Sequence, residues 1–247
     1  MGTIPIMESF DKSAKTYPSF NFLQRDIAGE LLALCAHNLA PMRSCIDIGC
    51  GSGTIFDQIA AARAADSPQA AFVRHLHTFV GLDSAPKLLQ EHARSPLVRL
   101  VCGDFNRPLR AQIGNSRFDV ALASSSLQWA ENLEQTLAEI AQIAPHLGAA
   151  IFTSRSLYEL HAFVGITSPL RDCAMLQHCL EARFCGVCLP RVYTLRFENL
   201  HTLLRYIQKS GIRGQTTLSA AQTQKLRHFR ENKLVFEVLY FVGTRRN

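Results

Sequence analysis

Short apolar runs and helical repeats alternate along residues 44–154 of this chain. Five apolar runs predict buried strands, near positions 44–48, 78–83, 100–105, 118–124 and 149–153. Parallel strands joined by helical crossovers place helices on both faces of a sheet. The pattern therefore predicts an α/β fold with a mostly parallel sheet.

The flanking regions extend this pattern with further helices and two late strands. Apolar residues at helical spacing predict a helix over 22–39 that packs on the sheet. Helices are also predicted at 200–208 and 219–230, around strands near 192–197 and 234–244. Together with the five earlier runs, these two strands complete a seven-stranded sheet.

Two connections in the pattern have expected shapes. Residues 145–148, Pro-His-Leu-Gly, are expected to form a surface turn that ends the helix at 137–143. The interval from Gly49 to Asp83 is 34 residues, longer than the roughly 20 that are usual in a βαβ unit, so residues 64–75 are expected to be an insertion.

Length and composition favour one compact enzyme. With 247 residues and 47% hydrophobic content the chain can bury a large core, and we expect one domain over 1–247. In that domain, 1–43 forms an N-terminal lid and first helix, 44–154 the cofactor-binding core, and 155–247 the acceptor-side helices and final strands. No signal-peptide pattern and no 18-residue apolar stretch occurs, so we expect a cytoplasmic protein without membrane contact.

The eight cysteines are expected to be reduced. Cys35, Cys45, Cys50 and Cys102 fall inside strand or helix patterns, where a thiol behaves as a small hydrophobe. Cys185 and Cys188 form a single close pair, whereas a structural zinc site usually brings two pairs together. We therefore expect no metal.

The strand Ile46-Asp47-Ile48 leads into a turn with alternate glycines at 49, 51 and 53, and a helical pattern begins near Thr54. Glycine allows a sharp turn and lets a ligand lie against the backbone at the start of a helix. A dinucleotide site would need its third glycine at position 54. The sequence thus predicts a nucleotide-type site of another kind.

The turn and the strand ends that follow resemble the motifs of the class I S-adenosylmethionine (SAM) methyltransferases. This resemblance implies a Rossmann-like fold in which the last strand of the seven-stranded sheet is antiparallel. Acids end the next two predicted strands, at Asp83 and Asp104, and Phe105 and Ser124 lie at further strand ends. The resemblance implies that Asp83 binds the ribose, that Asp104 meets the adenine amine, and that Phe105 covers the ring. The cofactor residues implied in this way are Asp47, Gly49, Cys50, Gly51, Gly53, Asp83, Ser84, Asp104, Phe105 and Ser124. Asp119, at the start of its strand, is expected to be structural.

Several outer segments resemble one family within that class. They are Phe10–Tyr17, the Leu-Gln-Trp run at 127–129, residues 152–161, Leu203–Gly211 and the ending from Leu218 to Gly243. Together they are similar to the BioC family of malonyl-[acyl carrier protein] O-methyltransferases, which start pimeloyl synthesis in the biotin pathway. The resemblance implies SAM as methyl donor and a malonyl thioester on acyl carrier protein as partner. His146-Leu147 replaces a common Lys-Pro pair of that family.

The implied chemistry needs positioning rather than a base. A malonyl carboxylate is already ionised at neutral pH, so the enzyme has only to aim it at the methyl group. A guanidinium matches a carboxylate geometrically, which makes Arg205 the first candidate clamp and Arg155 the second. Tyr17 is expected to close over the substrates, and Gln128 and Trp129 to wall the acceptor pocket.

Charge is unevenly distributed along the chain. Residues 151–247 hold 14 Lys and Arg against 6 Asp and Glu, whereas residues 1–150 hold 12 against 14. A positive face with some of the downstream residues could steer an acidic carrier protein; they are Arg191, Arg196, Lys209, Arg213, Lys225, Arg227 and Arg230. An RNA or another small molecule stays open as the acceptor, and a non-enzymatic binding protein as a third alternative.

Overall fold

The computed structural model describes residues 21–210 and 218–246, which form a seven-stranded sheet with flanking helices. The strands are β1 Ser44–Ile48, β2 Thr78–Asp83, β3 Val98–Cys102, β4 Val120–Ser124, β5 His146–Phe152, β6 Phe184–Arg196 and β7 Lys233–Arg245. Their order is β3-β2-β1-β4-β5-β7-β6. The first five strands pair in parallel, and β7 runs antiparallel to both β5 and β6. The predicted sheet, with its antiparallel last strand, is confirmed.

Ten α-helices lie in the part of the chain that the structure describes. They are α1 Phe22–Asn38, α2 Thr54–Arg63, α3 Pro68–Val73, α4 Pro86–Glu91, α5 Leu109–Ile113, α6 Leu133–Ile143, α7 Tyr158–Val164, α8 Cys173–Glu181, α9 Leu200–Lys209 and α10 Ala220–Leu226. A short 3₁₀ helix, Leu127–Trp129, follows β4. Over the same residues, none of the helices has the length and apolar character needed to cross a bilayer.

Two apolar clusters cover the two faces of the sheet. Neighbouring residues of a strand point to opposite faces, so Cys45 packs with α1, α2 and α3, while Ile46 packs with α6 and α8. Phe79 and Val80 divide in the same way on β2. Helices on both faces, as predicted, follow from this alternation.

The first helix forms as its apolar spacing predicts. Leu23, Ile27, Leu31 and Cys35 lie on one side of α1 and are all buried. Full burial of a leucine or isoleucine side chain contributes about 1.5–3 kcal/mol, so this stripe holds α1 on the sheet.

The insertion predicted at 64–75 contains a helix of its own. The Ser67 side chain caps α3 by accepting a hydrogen bond from the Ala70 backbone N–H at 3.1 Å. Phe72 and Val73 are buried in the same cluster as α1. The extra residues therefore add to the core on that face.

Some predicted boundaries and environments are wrong. His146 and Leu147 do not form a surface turn but begin β5, where Leu147 is fully buried. The sixth strand begins at Phe184, well before the predicted 192, and includes Cys185 and Cys188. Most of β6 is exposed because it lies at the sheet edge, so its sequence lacks the apolar alternation of a buried strand.

Cys102 was also placed wrongly. This cysteine is exposed at the end of β3, whereas Cys35, Cys45 and Cys50 are buried as small hydrophobes. All eight cysteines are free thiols in the structure.

Candidate active site

The predicted cofactor residues lie at one edge of the sheet, at the carboxyl ends of four adjacent strands. Asp47 is in the last part of β1, Asp83 ends β2, Asp104 follows β3, and Ser124 ends β4. The chain order reverses between β1 and β4, which is where ligands bind in open sheets of this kind. The topology therefore brings these side chains to one crevice.

Gly49 begins the turn between β1 and α2. Its φ of +74° is in the left-handed region, which favours glycine. A Cβ at this position would lie 2.4 Å from Ser126 Cβ and 3.5 Å from Phe105 Cε1. Ser126 Oγ donates a hydrogen bond to the Ile48 carbonyl oxygen at 2.5 Å. The loop after β4 is thus packed directly against the glycine turn, and no side chain would fit between them.

Asp83 supports the middle of the same turn. Its Oδ2 accepts a hydrogen bond from the Gly51 N–H, and its Oδ1 accepts one from the Ala85 N–H, both at 2.8 Å. Ala85 precedes α4, so the carboxylate helps to start that helix. A carboxylate oxygen can accept two hydrogen bonds, so this role is compatible with ligand binding.

Asp47 is the most unusual group at this edge. The residue is 1% exposed, and neither carboxylate oxygen has a hydrogen-bond partner in the part of the chain that the structure describes. Burial, and then the neighbouring charge of Asp83, raise the pKa of Asp47 well above its ordinary value. An unpaired buried carboxylate is costly, and a ligand cation would remove that cost.

Asp104 is fixed by its own loop. Its Oδ1 accepts hydrogen bonds from the backbone and side-chain nitrogens of Asn106, at 2.9 and 3.0 Å. Gln112 braces the backbone of Asp104 from both sides, because its Oε1 accepts from the Asp104 N–H and its Nε2 donates to the Asp104 carbonyl oxygen. Asp104 is therefore held in one orientation beside Phe105 and the glycine turn.

The remaining predicted cofactor residues differ in position. The Cys50 side chain packs into the sheet, where its Sγ lies 2.9 Å from the Cβ position of Gly81, and burial raises the pKa of its thiol. Its backbone N–H donates to the Leu82 carbonyl oxygen at 3.0 Å. Ser84 is half-buried after β2, and Ser124 Oγ is buried without a partner. Of these side chains, that of Cys50 faces away from the crevice.

A cavity of about 290 Å³ lies beside the loop that follows β4. Gln128 and Trp129, the predicted walls of the acceptor pocket, both line it. Other walls come from Gln24 of α1, from the end of β5, and from α7, α9 and α10. The lining is predominantly apolar, which is typical of a pocket for a small organic group.

The loop that carries Gln128 has a defined shape. Ser125 has a φ of +59°, an unusual conformation for a residue other than glycine. The Gln128 Nε2 donates to the Ser125 carbonyl oxygen at 2.7 Å, and the Ser125 N–H donates to the Ala150 carbonyl oxygen at 2.8 Å. Gln128 Oε1 and Ser125 Oγ are buried without partners. The loop thus brings polar atoms that lack partners next to the cavity.

Comparison with known proteins adds family evidence to this geometry. The family described as "Methyltransferase domain" matches residues 46–147. A malonyl-[acyl-carrier protein] O-methyltransferase of Halorhodospira halophila is 27% identical over 83% of this chain and 70% of its own length. Proteins of the same name from Serratia marcescens and a Methylovorus species are 23% and 30% identical, over 83% and 60% of this chain and 77% and 49% of theirs.

This chain is a SAM-dependent methyltransferase that is similar to proteins of the BioC family.

Solved structures show the same fold. A protein of Bacillus halodurans C-125 superposes with a TM-score of 0.61 over 87% of this chain and 97% of its own, at 12% identity. The plantazolicin methyltransferase BpumL, solved in complex with SAH, has a TM-score of 0.54 over 97% of this chain and 94% of its own, at 13% identity.

The crevice of this methyltransferase fits a SAM-type cofactor. The carboxylate of Asp47 suits the ammonium group of an amino acid, and the left-handed turn at Gly49 directly follows the same strand. Asp83 and Asp104 offer carboxylate oxygens at the two strand ends beyond. These four residues are therefore our proposed cofactor contacts.

The predicted arginine clamp is not part of the cavity lining. Arg205 is on the exposed side of α9, whose neighbouring residues Leu204 and Ile207 line the cavity instead. The Arg155 side chain is 78% exposed, and its Nη1 lies 3.8 Å from Glu237 Oε2. Neither guanidinium is brought to the acceptor pocket, because the helical period and the turn after β5 direct them outward. Two further predicted residues, Tyr17 and Arg213, lie outside the described residues.

Arg171 was missed by the sequence interpretation. Its guanidinium donates to the carbonyl oxygens of Gln128, Ala130 and Glu131, at 3.4, 2.5 and 3.4 Å. The Arg171 carbonyl oxygen in turn accepts from the Ser154 N–H at 2.8 Å. Arg171 therefore joins the loop after β4 to the loop after β5, and both loops border the cavity. No local pattern marks such a long-range contact.

A buried network around Glu237 was missed for the same reason. Thr153 Oγ1 donates to Glu237 Oε1 at 2.7 Å, and Ser156 Oγ donates to the Glu237 carbonyl oxygen at 2.9 Å. These bonds fix the end of β5 against β7, and Ser156 also lines the cavity.

The cysteine pair lies away from the site. Cys185 is exposed and Cys188 is half-buried, both on β6. Within residues 21–210 and 218–246, no cluster of three or more His, Cys, Asp or Glu side chains has a metal-binding arrangement.

Proposed function

We propose that this methyltransferase esterifies the free carboxylate of a malonyl thioester carried on acyl carrier protein, with SAM as methyl donor, in the biotin pathway. The observation that carries the proposal is that four curated relatives of that name align with this chain, two of them over 83% of it. A further relative named biotin biosynthesis bifunctional protein BioHC is 29% identical over 60% of this chain.

The cavity supports this acceptor class. It has space for a short acyl group on an apolar arm, and it lies beside the loop that packs on the glycine turn. Gln128 and Trp129 would border the acceptor, and Ser125 and Arg171 hold the loop on which they stand. Acceptor and cofactor contacts would therefore lie on two sides of the same loop.

The residues around the cavity suit a reaction without a general base. SAM supplies an electrophilic methyl group when it is bound. A malonyl carboxylate is ionised at neutral pH, so no protein group has to remove a proton from it. The loop after β4, which carries Gln128, would hold the acceptor in place, and the apolar walls from α7, α9 and α10 would exclude water.

Transfer of a labelled methyl group distinguishes malonyl recognition from other activities. We expect malonyl-acyl carrier protein to be methylated and acetyl-acyl carrier protein, which lacks the carboxylate, to give less than about 1% of that rate. Equal labelling of both carriers, or labelling of RNA alone, would refute the proposed acceptor.

Basic residues on α9 and after α10 suit an acidic carrier protein. We define the basic rim as Arg205, Lys209, Lys225, Arg227 and Arg230, which lie on or directly after the two helices that also line the cavity. Arg191, by contrast, is paired with Glu30 at 3.1 Å on the edge strand β6. The basic rim would therefore place positive charge on the two helices beside the acceptor cavity.

Charge reversal on the basic rim tests this docking. We expect Arg227→Glu to raise the KM for malonyl-acyl carrier protein about 3–10-fold at low salt, with little change in kcat, because long-range attraction is lost. Arg99→Glu, which makes the same charge change on the opposite edge strand β3, is the matched control. The KM for wild-type protein should also rise between 50 and 500 mM salt, whereas that for a small malonyl thioester should not. Equal effects of both reversals would argue against the rim.

A further inference from the structure

The cavity poses an electrostatic problem for a carboxylate acceptor. Among the described residues that line it there is no Lys, Arg, Asp or Glu. The polar lining residues are amides, hydroxyls, the indole of Trp129 and the imidazole of His161. His161 is the one side chain of this set that can become a cation at physiological pH.

His161 is well placed for that role. It lies in the middle of α7, and its Nδ1 is buried without a hydrogen-bond partner among residues 21–210 and 218–246. Burial lowers the pKa of His161, so the imidazole is neutral when nothing is bound at neutral pH. A buried polar atom without a partner costs free energy that a ligand contact can recover.

The neighbouring charged groups do not already pair with this histidine. α7 packs against α10 and β7. Glu159 of α7 bonds to Lys233 of β7 at 3.2 Å, and Lys225 of α10 lies 5.5 Å from the centre of the Phe163 ring. β7 also carries Glu237, which accepts from Thr153 and lies near Arg155, and Arg245, whose Nη1 donates to the Ala141 carbonyl oxygen at 2.8 Å. Arg227 and Glu231 flank α10 and β7. Burial is the one cause of the lowered pKa of His161.

We propose that His161 recognises the acceptor carboxylate by taking up one proton from solvent and binding it as an imidazolium. This inference rests on the proposed function, because it assumes that the acceptor is a carboxylate. One carboxylate oxygen accepts a hydrogen bond from the imidazolium, and the other remains available as the nucleophile. When the carboxylate has become a neutral ester, the imidazolium has lost its counter-charge and returns its proton to solvent.

A switchable cation has an advantage over a permanent one in this cavity. A buried arginine would carry an uncompensated charge whenever the acceptor is absent, which is strongly unfavourable. A histidine is neutral in the empty cavity and charged only beside its partner. It therefore distinguishes the carboxylate substrate from the ester product and favours release of the product.

Proton uptake by the wild-type protein is a direct test. Binding of the malonyl thioester of N-acetylcysteamine would be measured by calorimetry with SAH present, at pH 7.5, in phosphate and in Tris. Because these buffers differ in ionisation enthalpy, the difference in binding enthalpy gives the number of protons taken up. We expect uptake approaching one proton for the thioester and none for its methyl ester. Binding of the thioester without uptake would overturn the role of His161.

Substitution gives a second, independent readout. We expect His161→Gln to abolish proton uptake and to raise the KM for the malonyl substrate at pH 6.5 at least about 10-fold, with a smaller change in kcat. His201→Gln, an identical replacement on the exposed side of α9, is the control and should behave as wild type. Melting temperatures of both variants show whether either has lost its fold.

The pH profile separates recognition from a structural effect. Since bound His161 is charged and free His161 is neutral, the wild-type KM should rise with pH between about 6.5 and 8.5, by up to about tenfold per unit. In His161→Gln the profile should be flat. A folded His161→Gln protein whose KM depends on pH as in wild type would refute this inference. Methyl transfer to malonyl-acyl carrier protein would in that case still support the proposed function. Absence of methyl transfer to that carrier in the wild type would instead refute the proposed function.

Discussion

Replacing Asp47 with asparagine is expected to raise the melting temperature of the ligand-free methyltransferase by several degrees and to weaken SAH binding at least about 30-fold. The carboxylate is buried without a partner, and burial, followed by the charge of Asp83, raises its pKa. Asparagine has the same shape without the charge, so it removes a cost in the free protein and a counter-charge in the complex. Scanning calorimetry and titration calorimetry measure the two effects.

The pH dependence of stability tests separately whether Asp47 destabilises the ligand-free protein at neutral pH. A carboxyl group whose pKa is raised in the folded state stabilises the folded protein, and this stabilisation is complete below the unfolded pKa of about 4. The stabilisation is lost as pH rises through the folded pKa. The melting temperature at pH 4.5 minus that at pH 7.5 should therefore be larger for wild-type protein than for Asp47→Asn. A variant that is less stable than wild type at pH 7.5 and binds SAH normally would contradict our assignment.

Asp119 is a control, because its pKa is shifted in the opposite direction to that of Asp47. Burial alone would raise its pKa, but hydrogen bonds from the Arg43 and Ser44 backbone N–H groups, at 2.7 and 2.9 Å, outweigh burial and lower it. Stability from such a group is present above its unfolded pKa and is lost as pH falls. Asp119→Asn should therefore lower the melting temperature at pH 7.5 and leave SAH affinity unchanged.

The second large effect is expected at Gly49. Gly49→Ala should lower the melting temperature by about 10 °C or more and abolish measurable SAH binding, because the new Cβ would lie 2.4 Å from Ser126 Cβ. Relief of that clash would displace the loop after β4 and break the Ser126 hydrogen bond to the Ile48 carbonyl oxygen. Scanning and titration calorimetry on the same preparation report both losses.

Gly165 is the control for this substitution. Its φ of +75° is nearly that of Gly49 and its backbone is left-handed, but a Cβ there would have no neighbour within 4 Å. Gly165→Ala therefore carries a left-handed backbone cost of about 1–2 kcal/mol without a clash. It should lose a few degrees and bind SAH as wild type does. Similar losses in both variants would show that backbone strain alone, and not the packing of Ser126, explains the effect at Gly49.

The sequence was most informative where chemistry and local structure coincide. Short apolar strands that end in glycine or acid predict both the sheet and its ligand edge, because a strand end needs few distant contacts to be recognised. The exposed strand β6 was partly missed, since edge strands need no apolar face. Arg171 and His161 were not assigned because their importance depends on carbonyl groups or cavity walls from distant parts of the chain. Arg205 shows the opposite case. It was predicted because its segment resembles a family motif, but it lies on the face of α9 that does not line the cavity.

The position of β7 has a consequence for how the protein folds during synthesis. Among the described strands β6 pairs with β7 alone, and β7 also separates β6 from β5. Because β7 follows the other six strands in the chain, β1 to β5 can assemble while β6, with its 13 residues, still lacks its hydrogen-bonding neighbour. Until then both β5 and β6 present open edges that can pair with other nascent chains. A delay before β7 pairs with β5 and β6 therefore favours aggregation. A chaperone that covers these open strand edges during the delay should increase the yield of folded protein.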